Sequence, residues 1–333
     1  MLTPAPRGPL SEQVADALRT PPERSGFHDI VVRQDLEDHI LDEDLQLSLW
    51  MLYEQSYRGF TDAFDHEWEP PAVAVRRALE KAFEARLRRD TAQLLQSVEE
   101  PDGDLVGRFD RLISAYDGPS LASYLQRSAT RDQVLEFLAG RSLYHLKESD
   151  PHAFVVGRID GPAKVALAEL QYDEFGGGRP AQLHSQLYRD ALAAAGLDDG
   201  YGAYVDSTPG PALAVNNLMS MLGLQRRLRA AALGHLAAFE STSSVPCRRI
   251  AAGIERVGLP AATAHYFHEH VEADAAHEQI AVRDNSGGYL EQHPDELHEV
   301  LFGAATCLHL DALAATDQLD AWTAQLDDQR LVS

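Results

Sequence analysis

Residues 264–281 form a histidine-rich segment that limits the folds open to this chain. Within it, His270, Asp274 and His277 stand at positions i, i+4 and i+7. At about 100° per residue, these offsets place the three side chains on one narrow face of a helix. A compact fold must either bury this polar face around a partner or expose it to water. The other polar residues favour a solvated, charged helix: His265, His268, Glu269, Glu272 and Glu278.

If it is buried, the same face suits a metal ion. Two imidazoles and one carboxylate are donors that iron, manganese and zinc accept. The segment alone does not choose between a metal site and a solvated helix. The choice depends on whether other segments of the chain supply further donors.

Apolar residues elsewhere in the chain also follow helical spacing. Between residues 36 and 57, for example, Leu45, Leu49, Leu52 and Tyr53 share one face, which is typical of a core helix rather than of a cofactor site. We find no strand alternation, fixed-period repeat or low-complexity tract. The sequence therefore predicts an all-α protein of about ten helices.

The predicted helices suggest how the chain is divided. We expect an arm over residues 1–10, N-terminal helices over 11–124 that pack on the core, and a core over 125–333, all within one continuous globular unit. Near the C-terminus the pattern predicts helices over 224–239, 247–257, 261–283 and 295–325. It predicts a break over 241–246 and a turn over 285–288, because Pro246 and a Gly-Gly pair interrupt the pattern.

The charge of the chain excludes some partners. Against 29 Lys and Arg stand 52 Asp and Glu, a net charge of −23, which argues against nucleic acid and against an anionic membrane. Two cysteines cannot form a disulfide framework. No hydrophobic run approaches the roughly 20 residues that span a bilayer, and the N-terminus lacks the apolar core of a signal peptide. We expect a cytoplasmic protein.

Further candidate donors lie on other predicted helices. Glu240 ends a strongly apolar helix, where a buried unpaired carboxylate would be costly; the alternative is that it faces water at the helix end. His184 lies among apolar residues, where a lone histidine is more often part of the core. Glu148 and Glu174 are unremarkable individually. His145 shares a face with Glu148 and is either a rival donor or its hydrogen-bonding partner.

In their order along the chain, these residues resemble the ligand pattern of the haem-oxygenase-like diiron oxidases and oxygenases, also described as iron-containing redox enzymes. That pattern is a Glu, then a Glu and a His about ten residues apart, another Glu, and finally His-x-x-x-Asp-x-x-His. The likeness in helical layout runs from about residue 125 to the C-terminus. The positions that match it are Glu148, Glu174, His184, Glu240, His270, Asp274 and His277.

The resemblance implies a haem-oxygenase-like helical bundle with additional N-terminal helices and two irons bound by these seven residues. It implies that Glu148 and His184 bind one iron with His277, that Glu240 and His270 bind the other, and that Glu174 and Asp274 are shared. A haem-degrading enzyme is disfavoured, because seven inward donors would crowd the space of a porphyrin.

The resemblance also implies an activity with O₂ as co-substrate. We expect N-oxygenation of a small amine or amino acid through a peroxo-diferric intermediate, with an external electron donor. The helix pattern leaves the oligomeric state open; a homodimer would use the half-solvated helix over 73–99 or the final helix. One alternative is oxidative C–C cleavage, desaturation or decarboxylation of an amino or fatty acid, for which a fatty acid would require a long apolar channel. The other is an iron-binding helical protein without a substrate.

Overall fold

The computed structural model describes residues 1–32, 41–99, 103–116 and 119–332, without the side chains of 272–276 and 325–332. The described residues contain α-helices, short 3-10 turns and one π-helical segment but no strand, which confirms the predicted all-α class. The α-helices are α1 (Pro9–Leu18), α2 (Glu43–Glu54), α3 (Pro70–Val98), α4 (Leu105–Ala115), α5 (Leu121–Arg127), α6 (Arg131–His145), α7 (Asp150–Val156), α8 (Gly161–Glu174), α9 (His184–Ala195), α10 (Gly210–Leu224), α11 (Arg229–Arg256), α12 (Ala261–Gln279), α13 (Gly288–Gln292) and α14 (Leu297–Val332).

Helix α11 is the central element, and it packs along α12, α14 and α5. Small residues allow α11 and α14 to approach closely. A Cβ added at Gly234 would lie 1.8 Å from the Val300 carbonyl oxygen, and one added at Gly303 would lie 1.8 Å from that of Ala231. Helix backbones this close leave no room for side chains between them, so the two glycines fix the contact.

Helix α11 continues through Pro246, so the predicted end near Glu240, the break over 241–246 and the separate helix over 247–257 are wrong. Ser241 and Thr242 donate hydrogen bonds to the Ala237 and Ala238 carbonyls (2.7 and 2.8 Å), so their hydroxyls are satisfied inside the helix. Pro246 removes one backbone donor, but packing on both sides holds the helix together. Glu240 therefore lies within a helix and is buried.

The turn predicted over 285–288 is also wrong. Helix α12 passes directly into a π-helical segment, Ile280–Gly287, and then into α13. Two fully buried polar residues in this segment hydrogen-bond to neighbouring helices: Asn285 Nδ2 donates to the Ala163 carbonyl (2.8 Å) and Ser286 Oγ donates to that of Leu233 (3.3 Å). These contacts hold the wider turn in a sequence that resembles a loop.

The N-terminal residues are tied to the rest of the protein. Thr3 is buried and donates two hydrogen bonds to Asp62, and the Arg7 guanidinium donates to the Val205 and Thr208 carbonyls at 2.6 Å each. The arm is shorter than the predicted 1–10, because Pro9 opens α1. The predicted helix over 36–57 is seen as α2, and its first residues lie outside the described part of the chain.

Helix α14 changes one expectation about hydropathy. In the described part of the chain, the stretch Pro294–Ala324 is long and apolar enough to pass a length-and-composition test for a membrane span. However, 56% of its most apolar window is buried inside the structure, and α14 packs against α11, α10 and α3. These contacts are those of a helix that contributes to the core.

Candidate metal centre

The candidate donors meet in two groups that share one residue. In the first, ligand atoms of Glu148, Glu174, His184 and His270 all lie within 4.8 Å of one another. In the second, Glu174 lies equally close to ligand atoms of Glu240 and His277, and all six residues are buried. The structure thus brings together six of the seven predicted donors. The side chain of the seventh, Asp274, lies outside those described.

The chain brings Glu174 and His184 together with a tight reversal. Glu174 is the last residue of α8 and His184 the first of α9. Between them, Gly176, Gly177 and Gly178 all have positive φ, and a Cβ added at Gly176 would lie 2.6 Å from the Gln182 backbone. The triple glycine is therefore an ordered turn, and it brings His184 Nδ1 to 2.8 Å from Glu174 Oε2.

Hydrogen bonds orient two members of the first group. His270 Nδ1 lies 2.9 Å from the Tyr266 carbonyl oxygen, which requires a proton on Nδ1 and directs Nε2 towards Glu148 Oε1, 3.6 Å away. The Tyr266 hydroxyl lies 2.8 and 2.9 Å from the two oxygens of Glu148. Burial alone would raise the pKa of Glu148, but the nearby His270 and hydrogen bonds from His145 and His270 hold it well below its usual range.

His145 contacts Tyr266 and Glu148 but belongs to neither group of candidate metal ligands. Its Nδ1 lies 2.6 Å from the Tyr266 hydroxyl and 3.4 Å from Glu148 Oε1. Burial lowers the pKa of His145 to about 4, so the imidazole is neutral near pH 7. Of the two roles considered for His145, the geometry favours a hydrogen-bonding partner of Glu148 and Tyr266 over a rival donor.

His277 lies between the acidic residues of the second group. Its Nδ1 is 3.5 Å from Glu240 Oε2 and 3.7 Å from Glu174 Oε1, and its Nε2 is 3.4 Å from Asp173 Oδ2. Burial alone would lower the pKa of His277, but the interactions with Glu240, Glu174 and Asp173 outweigh it and raise the pKa to about 9. Without a metal, a proton on His277 thus balances part of the negative charge.

The two histidines of α12 are distributed differently from what the resemblance implied. His270, not His277, lies with Glu148 and His184, and His277 lies with Glu240. The reason is the path of α12. Seven residues separate the two histidines, about 10 Å along a helix, so each meets a different neighbour. His270 meets the segment after α6, and His277 meets the end of α8 and the middle of α11.

The residues present fit a metal ion. Carboxylates and imidazoles on facing helices are the donors of helical metal sites for iron, manganese or zinc. His184 Nδ1 is buried and makes no hydrogen bond, although Glu174 Oε2 lies only 2.8 Å away. A nitrogen and a carboxylate oxygen that face each other without an aligned proton are arranged as a shared cation requires.

A cleft of about 500 Å³ reaches the first group from outside. Glu148, Glu174 and His184 line its inner part. Its other walls combine apolar and charged residues: Phe175, Pro180, Leu183, Arg58, Lys147 and Asp150. A small molecule or dioxygen in this cleft can therefore reach three of the six donors.

The sequence had not pointed to several residues that surround the donors. Tyr266 and Asp173 contact Glu148 and His277, and Ser149 Oγ donates to Glu174 Oε2 (3.2 Å). Tyr266 precedes His270 by four residues, so helical spacing on α12 would have placed it on the donor face. Asp173 and Ser149 each adjoin a predicted donor, but nothing in their own sequence context marks them.

In its described residues, this is an all-helical protein whose buried carboxylate–histidine site can hold divalent metal. The chain belongs to the family of iron-containing redox enzymes, whose model matches residues 135–312, more than half of the chain. Membership confirms the resemblance seen in the sequence and supports an oxidoreductase.

One curated relative is nitrosourea synthase of Streptomyces achromogenes subsp. streptozoticus. The two proteins are 28% identical over 150 residues, which cover 45% of this chain and 32% of the relative. The chain thus matches about a third of the length of that enzyme. The family match and this alignment together place an enzyme among the relatives of the chain.

Proposed function

We propose that the two donor groups hold a pair of irons and that the protein uses dioxygen to oxygenate a nitrogen of a small amine-containing metabolite. The observation that carries the proposal is that Glu174 belongs to both groups. A carboxylate has two oxygens, so one side chain can contact two cations that lie close together. Iron is the metal for which the family is named.

The charges of the donors support two ferrous ions. Glu148, Glu174 and Glu240 supply three negative charges, and Asp274 would supply a fourth from the same helix face as His270 and His277. Four carboxylates would neutralise two divalent cations in a buried setting, which lowers the cost of placing the ions there. Bound irons would supply the electrons that reduce dioxygen, and an external donor would restore them.

The protein's own residues have three tasks in this proposal. Tyr266 and His145 hold Glu148 in place. Asp173 orients His277 through Nε2, so that Nδ1 faces the other members of the second donor group. The helices around the donors exclude water, because all six are less than a tenth exposed. The cleft beside Glu148, Glu174 and His184 admits dioxygen and substrate.

Oxygenation at nitrogen is favoured by the relative. A nitrosourea carries oxygen on a nitrogen, so an enzyme named for making one supports nitrogen as the atom attacked. The charged side chains of Arg58 and Asp150 in the cleft walls also suit an amine better than a hydrocarbon chain.

A second cavity is the observation that favours the alternative, oxidation or cleavage of a substrate with a long apolar chain. This mostly apolar cavity of about 380 Å³ lies between α5, α6, α11 and α14 and reaches His145. However, where the cavity reaches His145, the imidazole of His145 and the Tyr266 hydroxyl lie between the cavity and Glu148. A chain in this cavity would not contact the donors, so we favour the cleft and the amine.

Anaerobic loading with Fe(II) followed by rapid mixing with O₂ tests the proposal. We expect about two irons per chain and an absorbance transient that decays faster with one candidate amine. His270→Ala should lose the transient. His265→Ala, which removes an exposed histidine from the same helix, serves as the matched control and should retain it. One iron or less per chain, or a transient that survives in His270→Ala, would refute the proposal. A transient that no amine or carbon substrate alters would favour iron handling without a substrate.

A further inference from the structure

Helix α8 has an apolar face on each side, and the protein buries only one of them. The buried face packs on α7, α13 and the π-helical segment and consists of alanine and leucine residues: Ala163, Ala166, Leu167 and Leu170. On the outer side, Val165 and Tyr172 are 68% and 59% exposed, and Phe175, which caps the helix, is 40% exposed. Single exposed hydrophobic residues are normal on protein surfaces, but three on one 14-residue helix form a patch.

The outer residues of α8 follow a regular spacing. With Ala168, which is also exposed, they lie at positions 165, 168, 172 and 175, so the steps along the chain are three, four and three residues. This is the spacing with which one helix packs along another in a coiled coil. We call these four residues the α8 seam. Among the described side chains, α3 and α14 carry no exposed large hydrophobic residue, so α8 offers the better surface for a partner helix.

Opposite charges flank the α8 seam. At about 100° per residue, Lys164 and Glu169 lie on opposite sides of it. Lys164 is half-buried, Glu169 is exposed, and neither forms an ion pair with another described side chain. In a parallel pair of identical helices, Lys164 would face the residue five positions further along the partner, which is Glu169. An antiparallel pair would bring flanks of like charge together, so the charges fit a second copy in parallel.

We propose that the α8 seam is the contact between two copies of this chain, with the two α8 helices parallel about a two-fold axis. Each seam residue packs against its counterpart, as two-fold symmetry requires, and Lys164 of each copy pairs with Glu169 of the other. A 14-residue helix is about 21 Å long, so the contact is small and the dimer exchanges with the monomer. Phe175 also lines the cleft, so the second copy extends the outer wall of the cleft.

Sedimentation velocity of the full-length, metal-free chain over a range of concentrations tests the contact. We expect a monomer–dimer equilibrium in the micromolar range. Val165→Glu places two like charges in the apolar seam and should raise the dissociation constant about tenfold or more. Val245→Glu makes the same change at a valine of α11 that is 53% exposed, and it should leave the equilibrium unchanged. Both valines are exposed in the monomer, so both variants should melt at the wild-type temperature.

Reversal of the flanking charges tests the direction of the helices. Lys164→Glu and Glu169→Lys should each raise the dissociation constant about threefold or more, because each change turns attraction between the copies into repulsion. The double variant Lys164→Glu/Glu169→Lys should restore the wild-type value, since it exchanges the two charges and keeps the pair.

Disulfide cross-linking at the seam gives an independent readout. In the parallel dimer the two copies of position 168 face each other within the reach of a disulfide, so diamide should convert Ala168→Cys into a covalent dimer. The wild-type chain already contains Cys247 and Cys307, and under the same oxidation it should remain without a cross-link.

The inference is overturned if the chain stays monomeric at its highest soluble concentration or if Val165→Glu dimerises as the wild type does. Parallel pairing is refuted if the double charge reversal restores nothing or if Ala168→Cys does not cross-link. Neither iron nor a substrate enters these measurements, so their outcome is independent of the proposed function.

Discussion

Lys147 and Glu148 are adjacent in the chain, and each belongs to a buried set of charges of a different kind. Lys147 pairs with Glu54, one cation with one anion, and Tyr201 adds a hydrogen bond to the same oxygen of Glu54. Glu148 instead belongs to a cluster of carboxylates surrounded by imidazoles and a tyrosine. In the first set the positive charge is a fixed lysine ammonium, whereas in the second the groups that can carry positive charge, among the side chains described, are titratable imidazoles.

The difference shows how a fold can keep one buried carboxylate away from metals and offer others to them. A lysine ammonium at 2.6 Å is a fixed partner that a metal ion does not displace easily. A proton on His277 can leave when a cation arrives, because metal binding to histidine releases protons. We infer that the charges around Glu54 serve stability and that those around Glu174 serve binding.

The largest expected effect is the loss of the shared carboxylate. Glu174→Gln removes the charge common to both groups, so iron content should fall from about two to below one per chain. Oxygen-dependent turnover should fall on the order of a thousandfold, because the proposed irons would supply the chemistry. Metal analysis and oxygen-consumption assays measure the two quantities. Glu169→Gln, on an exposed position of the same helix, should change neither. Two irons retained in Glu174→Gln would contradict the shared role.

The second effect concerns stability alone. Lys147→Met leaves Glu54 buried without its cation, and we expect it to destabilise the protein by about 3–5 kcal/mol. The double variant Lys147→Met/Glu54→Gln should recover most of that loss, because it removes the stranded charge. Urea unfolding of the metal-free protein gives both values. If Lys147→Met unfolded at the wild-type urea concentration, the contrast between the two buried sets would be lost.

A smaller effect is expected at Tyr266, whose hydroxyl lies between His145 and Glu148. Tyr266→Phe removes the hydroxyl that lies beside both oxygens of Glu148, and iron affinity should fall about 10–100-fold, as for other partners of metal ligands. Competition with a chelator measures the change. Tyr188→Phe is the matched control, because the buried hydroxyl of Tyr188 donates a hydrogen bond to the Leu138 carbonyl and not to a candidate metal ligand. Equal losses in the two variants would indicate a packing effect.

The smallest effect comes from two buried histidines, His152 and His235, whose pKa is lowered because burial outweighs every other influence. Burial lowers the pKa of His152 and His235 to about 4 and about 3, in contrast to His277, whose pKa is raised. Because the pKa of these histidines is lower in the folded protein, the unfolded chain binds the proton at a higher pH than the folded protein does. The stabilising contribution of each of these two neutral imidazoles should be complete above about pH 6.5 and decline as pH falls below it, by about 1.4 kcal/mol per histidine at pH 5.5. Relative to the wild type, His235→Gln should therefore lose less unfolding free energy, or gain more, between pH 7.5 and 5.5. An unchanged slope would count against the buried, neutral imidazole.

Short-range spacing was sufficient to predict the helical class and the common face of the α12 histidines, whereas Glu148, Glu174 and His184 were predicted from the resemblance to a family. The offsets of His270, Asp274 and His277 fix a common face in any helix. Glu240 was found from the apolar residues before it, although its position within a continuous helix was missed. Pro246 indicated a break, and only the packing of α11 between α12 and α14 outweighs that local signal.

Features that depend on how helices meet could not be predicted. The assignment of His270 to Glu148 and His184, and of His277 to Glu240, depends on where α12 crosses its neighbours. Arg58 lies 90 residues before Glu148 in the chain, and nothing in its own segment relates it to the cleft. Such contacts are set by tertiary packing, which sequence periodicity does not encode.

The π-helical segment after α12 has a consequence for comparing sequences. A π turn holds one residue more than an α turn, so it rotates everything after it relative to the donors. In this chain the rotation lets His277 face the acidic cluster while Asn285 reaches the Ala163 carbonyl on α8. A relative with the same donors but an ordinary α-helix here would be one residue shorter. A gap in its alignment would belong within residues 280–287, and placing it earlier would shift the histidines out of register.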